Sequence, residues 1–270
     1  MYTETLVLLH WAASVSGHMS LWYPGPLGGA KEANAMSTYV DSELNFPLGC
    51  CDENGQATLP SPGICRGHLD MFDEQEPQVV WQAGQNAYFQ LSDHTYAAGT
   101  PGSTHHGGSC QVGFSLDRGQ TWKAAASFSG NCPRRAEDGS PSSQTFDFQV
   151  PRGMPSGNAL FAWVWLNREH EFFVNCAKVR ITANASRVLS ADMSLPSSRG
   201  LWRQSRPKAF RSCEWDTAPV MKMSYYTTDA DCMPNAKLRH AQSDDFELGW
   251  DVACGVVEGD GAFPIQMIAC

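Results

Sequence analysis

Two groups of residues in this sequence have the types and spacing for metal chemistry. One is His18, which follows a short apolar run closed by Val15, Ser16 and Gly17. Small residues at that place form the pattern a signal peptidase accepts. Cleavage after Gly17 would make His18 the first residue of the mature chain. It would then carry three nitrogen donors, the α-amine and both ring nitrogens. The amine and Nδ1 can chelate one ion together, which an internal histidine cannot do. The other group is Ser103-Thr104-His105-His106-Gly107-Gly108-Ser109-Cys110-Gln111. The glycine pair lets the backbone turn tightly, and a disulfide at Cys110 would hold the turn. A histidine from this loop would complete a three-nitrogen site, a donor set that suits copper(II).

A third segment, Trp163-Val164-Trp165-Leu166-Asn167-Arg168-Glu169-His170-Glu171-Phe172-Phe173-Val174-Asn175-Cys176-Ala177, reads as a hairpin turning near 167–169. Strand side chains alternate with a period of two, so Glu171 and Phe173 share one face and Phe172 and Val174 the other. Taken by itself, this pattern reads as an aromatic core strand with one carboxylate at its edge.

The elements that must position these groups are strands. Helical periodicity is nearly absent. Apolar and β-branched runs recur at 77–81, 87–91, 111–115, 121–128, 145–150, 159–166, 171–175 and 178–182, punctuated by turn residues; the chain holds 24 Gly and 16 Pro. Short strands between turn signals predict an all-β, immunoglobulin/fibronectin-III-like antiparallel β-sandwich with long loops. The loop-like stretch 19–67 carries Cys50, Cys51 and Cys65, which would pin it. Beyond about 186 the strand pattern weakens. Four cysteines there suggest a stapled C-terminal extension over 191–270, packed on a core domain spanning 18–190, with 1–17 as the signal peptide.

Composition narrows the function further. Ten cysteines without a C-x-x-C pair read as disulfides in a secreted protein rather than as zinc ligands. The sequon Asn184-Ala185-Ser186 fits a secreted glycoprotein. A net charge of −9 argues against nucleic acid and anionic membranes as partners and permits a neutral polymer. The apolar run near the N-terminus is well short of the roughly 20 residues a membrane span needs. No G-x-S-x-G nucleophile elbow occurs, and no carboxylate pair suggests a glycoside hydrolase.

Together, the start His18-Met19-Ser20-Leu21-Trp22-Tyr23-Pro24, the segment ending Gly107-Gly108-Ser109-Cys110-Gln111, and the strand Glu171-Phe172-Phe173-Val174-Asn175-Cys176-Ala177 resemble the fungal lytic polysaccharide monooxygenases of auxiliary-activity families eleven and sixteen. Gly119-Gln120-Thr121-Trp122-Lys123 and Gly130-Asn131-Cys132-Pro133 add to the resemblance, which spans roughly 18–182. It implies a histidine brace holding one copper ion, with His18 giving amine and imidazole. His105 stands five residues before Cys110, the position of the second brace histidine; His106 occupies the place of the family's first glycine and is the alternative ligand. Phe173 falls where these families usually have an axial tyrosine, and a phenyl ring cannot ligate. Glu171 matches the carboxylate or amide that hydrogen-bonds an oxygen ligand of the copper. Trp22 and Tyr23 are candidate sugar-stacking residues.

The resemblance further implies an external electron donor, hydrogen peroxide or dioxygen as co-substrate, and oxidative cleavage of an insoluble polysaccharide by a secreted monomer. Family eleven points to chitin and family sixteen to cellulose. Two other functions fit the same residues: a copper-binding cell-wall protein without oxygenase activity, and a carbohydrate-binding module in which the histidines are incidental.

Overall fold

The computed structural model describes residues 19–29, 39–41, 43–48, 63–93, 105–168, 171–183, 213–223 and 245–268. These residues build two facing sheets. The smaller has strand order β1-β3-β6, from β1 (Ser20–Tyr23), β3 (Asn86–Ser92) and β6 (Thr145–Gln149). The larger has order β10-β5-β4-β7-β8-β2, from β2 (Val79–Gln82), β4 (Ser109–Ser115), β5 (Lys123–Ser129), β7 (Gly157–Leu166), β8 (Phe172–Thr182) and β10 (Val256–Glu258). A separate parallel pair joins β9 (Glu247–Trp250) to β11 (Ile265–Ile268). The architecture is the expected β-sandwich.

The period of two decides which side chains meet between the sheets. From β7, Phe161, Trp163 and Trp165 enter the sandwich core; from β4, Cys110, Val112 and Phe114; from β8, Phe173, Ala177, Val179 and Ile181. They face Leu21, Phe89, Leu91, Phe146 and Phe148 of the small sheet. The rings interlock mainly edge to face, as Trp81 does with Phe148 and Phe161 at centroid distances of 5.4 and 5.3 Å.

The opposite set of β7 and β8 side chains is also buried. Leu160, Ala162, Val164 and Leu166, with Phe172, Val174 and Cys176, pack under Leu27, Leu48, Met71, Leu248, Trp250 and Ile268. The large sheet is therefore covered on both faces, which explains why β7 reads as a continuous apolar run rather than an alternating one.

Three findings refine the sequence expectations. The runs at 171–175 and 178–182 form one strand, β8, because the intervening Cys176 and Ala177 are small, buried and fully paired with β7. The central order β5-β4-β7-β8 is antiparallel, but both edges of that sheet, β2 on β8 and β10 on β5, pair in parallel. The C-terminal region also contributes strands, in pieces of three and four residues too short to show a period.

Disulfides tie the long segments to this frame. Cys65–Cys176 fastens the long early loop to β8, Cys110–Cys132 closes the histidine segment, and Cys213–Cys254 staples the C-terminal region. Cys50, Cys51, Cys232 and Cys270, the signal segment 1–17 and the sequon at Asn184 lie outside the described residues.

Asn175 joins three segments by its side chain. Its Oδ1 accepts from the Leu21 amide at 2.8 Å, and its Nδ2 donates to the carbonyls of Leu44 and Val174, both at 2.8 Å. The side chain is 1% exposed, so water cannot replace these bonds. Asn175→Ala leaves a buried amide and a buried carbonyl unmatched, each worth about 1–3 kcal/mol. The expected loss is about 2–4 kcal/mol, read as a lower midpoint in urea denaturation; an unmoved midpoint would show that Asn175 does not hold the first strand.

Candidate functional site

The histidine segment 105–108 leads directly into β4 and lies against the turn between β7 and β8. Gly107 and Gly108 both have left-handed backbone, at φ 89° and 83°, which glycine adopts without strain. Space demands glycine as well. A β-carbon on Gly108 would collide with the Leu166 carbonyl and sit 2.8 Å from the Asn167 Cα. On Gly107 it would strike Arg135 and stand 2.6 Å from a Glu247 oxygen.

Buried hydrogen bonds fix the loop from several sides. The Trp165 indole donates to the Gly107 carbonyl at 3.0 Å, and the Gly107 amide donates to the Pro133 carbonyl at 2.8 Å. The Cys132 amide donates to the Gly108 carbonyl at 3.2 Å, beside the Cys110–Cys132 disulfide. The Gly108 amide donates to Glu247 Oε1 at 2.9 Å.

His105 and His106 are both half-buried. His106 Nδ1 lies 2.9 Å from the Arg134 carbonyl. A carbonyl only accepts, so this bond needs the proton on Nδ1, and in the neutral ring Nε2 is left with its lone pair. The Arg134 peptide is itself oriented by buried Gln144, which accepts from the Arg134 amide at 2.8 Å and donates to its carbonyl at 3.1 Å.

The hairpin brings the remaining predicted residues to the same end of the sheet. Phe173 is 1% exposed and packs, tilted by 32°, against Trp165, its cross-strand partner, at a centroid distance of 4.4 Å. The ring that the loop hangs from is thus the ring on which Phe173 packs. Glu171 is half-buried and clasped by Asn167 across the turn. Asn167 Nδ2 donates to Glu171 Oε2 at 2.6 Å, and the Glu171 amide donates to Asn167 Oδ1 at 2.7 Å. Since Gly108 rests against Asn167, the loop, the clasp and the carboxylate are contiguous.

His18 lies outside the described residues; its neighbour Met19 is wholly buried in the core that also holds Phe173. Among the described residues no cluster of three metal-ligating side chains forms. A brace on this chain would need a ligand from outside them, the place expected for His18. The donor chemistry at the loop fits such a metal: imidazole nitrogens precede a rigid turn whose backbone rests on the Asn167 that clasps Glu171. Trp22 is half-buried, at an irregularity in the β1–β3 register between Leu21 and Tyr23. Tyr23 stacks on Tyr88 at 4.7 Å, and burial, with Tyr88 beside it, pushes its hydroxyl above the ordinary tyrosine value.

Reading the sequence alone missed Asn167, Gln144, Arg135 and Glu247. The Asn167–Glu171 spacing across a turn is a local signal that could have been read. Gln144 reaches Arg134 across ten residues of loop, and Arg135 and Glu247 act over separations such as the 139 residues between Gly108 and Glu247, which leave no local trace.

No protein-family model matches the chain. Among curated proteins it is 28% identical over 199 residues to AA11 family lytic polysaccharide monooxygenase A of Aspergillus fumigatus, covering 73% of this chain and 79% of that one. It is 32% identical over 189 residues to the family's monooxygenase B of A. fumigatus and 31% identical over 188 to a member from Aspergillus oryzae. Each of these alignments covers 65% of this chain and only 38% of the relative. Similarity to solved structures is weak: against T. fusca AA10A the TM-score is 0.36 at 14% identity, over 61% of this chain and all of that one. By its sequence, the chain is a homologue of the fungal AA11 lytic polysaccharide monooxygenases.

Proposed function

We propose that this protein is a secreted, copper-dependent monooxygenase that cleaves an insoluble β-1,4-linked polysaccharide, chitin or cellulose. One observation carries most of this reading. The His-Gly-Gly loop is bound onto the β7–β8 turn, so an imidazole on a fixed backbone stands at the end of the sheet that presents Glu171 and buries Phe173. The homology to AA11 monooxygenases supports the same reaction class. Residues 18–190 would form the catalytic unit and 191–270 its extension.

In this reading His18, through its amine and imidazole, and His105, through its imidazole, hold one copper ion. Bound copper supplies one-electron redox chemistry, fed by an external reductant and by hydrogen peroxide or dioxygen. The chain's own residues do the rest. Phe173 closes one side with a ring that cannot ligate, and its packing on Trp165 keeps water out there. Glu171 holds or passes a proton at its carboxylate, and the Asn167 clasp restrains where that carboxylate points. Trp22 and Tyr23 offer aromatic surface to sugar rings.

Two outcomes follow. The mature chain incubated with ascorbate and either chitin or cellulose should release oxidised oligosaccharides detectable by mass spectrometry. Calorimetry should give one copper ion per chain, with affinity falling sharply when one extra residue precedes His18. Copper binding without oxidised products would favour a wall protein that only holds copper, whereas equal affinity in the extended form would remove the brace.

A third outcome concerns Glu171. Glu171→Gln keeps the size and a hydrogen-bonding group but removes the charge and the proton shuttle. Positioned proton transfer contributes about 10²–10⁴-fold. Polysaccharide oxidation at controlled peroxide supply should therefore drop at least about tenfold, with copper affinity little changed. An unchanged rate would mean that Glu171 takes no part.

A further inference from the structure

We infer that Glu247, far along the chain in the C-terminal region, is a positioning residue for the histidine loop, so that β9 and its surroundings are a working part of the site. The inference rests on the copper reading above for its functional meaning, though not for its geometry. Glu247 is 0% exposed. Its Oε1 accepts from the Gly108 amide at 2.9 Å and from the Arg135 guanidinium. Both groups press on the loop, since a β-carbon at Gly107 would meet Arg135 and Glu247 together.

Arg135 is locked in turn from behind. Asp260 binds it through two bonds, at 3.0 and 2.6 Å, and the hydrogen bonds from Arg135 hold the Asp260 carboxyl below the usual carboxylate range. Phe263 lies under both Arg135 and Arg168, at 5.0 and 4.0 Å from its ring centre. The C-terminal region thus supplies a carboxylate, a second carboxylate and an aromatic ring that grip the loop and its neighbours from outside the sandwich.

Stability alone is a poor account of this arrangement. Glu247 Oε2 is buried with no hydrogen-bond partner among the described residues. A buried ion pair is weak evidence of net stabilisation, and a half-matched one is weaker still. What the carboxylate does provide is a fixed acceptor for the buried amide two residues after His106. Removing it frees the Gly-Gly turn to relax, and the preceding imidazoles move with it. Loss of a direct hydrogen-bond partner of a metal ligand typically lowers metal affinity about 10–100-fold; Glu247 acts through the backbone after the histidines, which puts its expected effect at the low end.

The test uses the full chain with Glu247→Gln and Glu247→Leu. In the metal-free proteins, amide exchange at Gly108 is followed by NMR; in the copper-loaded proteins, the copper(II) EPR spectrum and the affinity for copper alone are measured. Glu247→Gln keeps an oxygen facing the Gly108 amide, with its NH2 where Oε2 has no partner, and should stay close to native in all three. Glu247→Leu should lose Gly108 protection, shift the EPR spectrum and weaken copper about tenfold. Native protection and spectrum in Glu247→Leu would overturn the inference, as would equal disturbance by both substitutions, which would assign the effect to charge. If Glu247→Leu does not fold, Asp260→Asn loosens Arg135 from the partly exposed side and should give partial losses; native values there would also overturn it. A parent chain that binds no copper would refute the proposed function, while the Gly108 exchange would still decide the role of Glu247.

Discussion

The indole of Trp165 sets the geometry on which the rest of the site depends. Its N–H is buried and must find an acceptor, and it finds the Gly107 carbonyl at 3.0 Å. Its ring lies on Phe173 at 4.4 Å. One side chain therefore fixes the distance between a loop and a strand that are separated by some sixty residues. The glycines follow from that closeness. With Gly108 resting on the Leu166 carbonyl and Asn167, no side chain can be fitted there, and both left-handed φ values are free of strain only for glycine. The Cys110–Cys132 disulfide and the Gly107–Pro133 hydrogen bond then leave the turn little freedom.

A rigid end of this kind needs a rigid sheet behind it. The large sheet supplies one because it is buried on both faces. Aromatic rings fill the side towards the small sheet, while Leu248, Trp250, Ile268 and the loop held by Cys65–Cys176 cover the other. Strand β7 can thus be apolar from Ala159 to Leu166, and the polar pair Asn167 and Glu171 is placed in the turn just beyond the paired ends of β7 and β8. The C-terminal residues serve the same end: β10 extends the sheet, and Glu247 reaches the loop.

Much of this was legible in the sequence. The apolar run 159–166 marked a buried strand, now β7, and the period of two places Glu171, just before β8, on the same face as Phe173. The Gly-Gly turn and its following cysteine marked the loop. The β9, β10 and β11 strands were not legible, because three or four residues carry no period and two of the pairings are parallel and non-local. Glu247 was invisible for the same reason: a glutamate before Leu-Gly-Trp reads as surface, and only the fold shows it buried beside Gly108. The break expected between 175 and 178 vanished because Cys176 and Ala177 are small residues buried on the two faces of a doubly covered strand, where side-chain size does not signal a strand end.

The central claim is that this end of the sandwich presents one histidine to meet a terminal one. Hyperfine spectroscopy of the copper(II)-loaded chain with 15N-labelled histidine tests it most directly. The account requires three directly bound nitrogens, all from histidine residues, two of them from His18 as amine and imidazole, with one coupling lost in His105→Ala and all three kept in His106→Ala. Nitrogen couplings from a single histidine, or couplings that survive His105→Ala and vanish in His106→Ala, would contradict it.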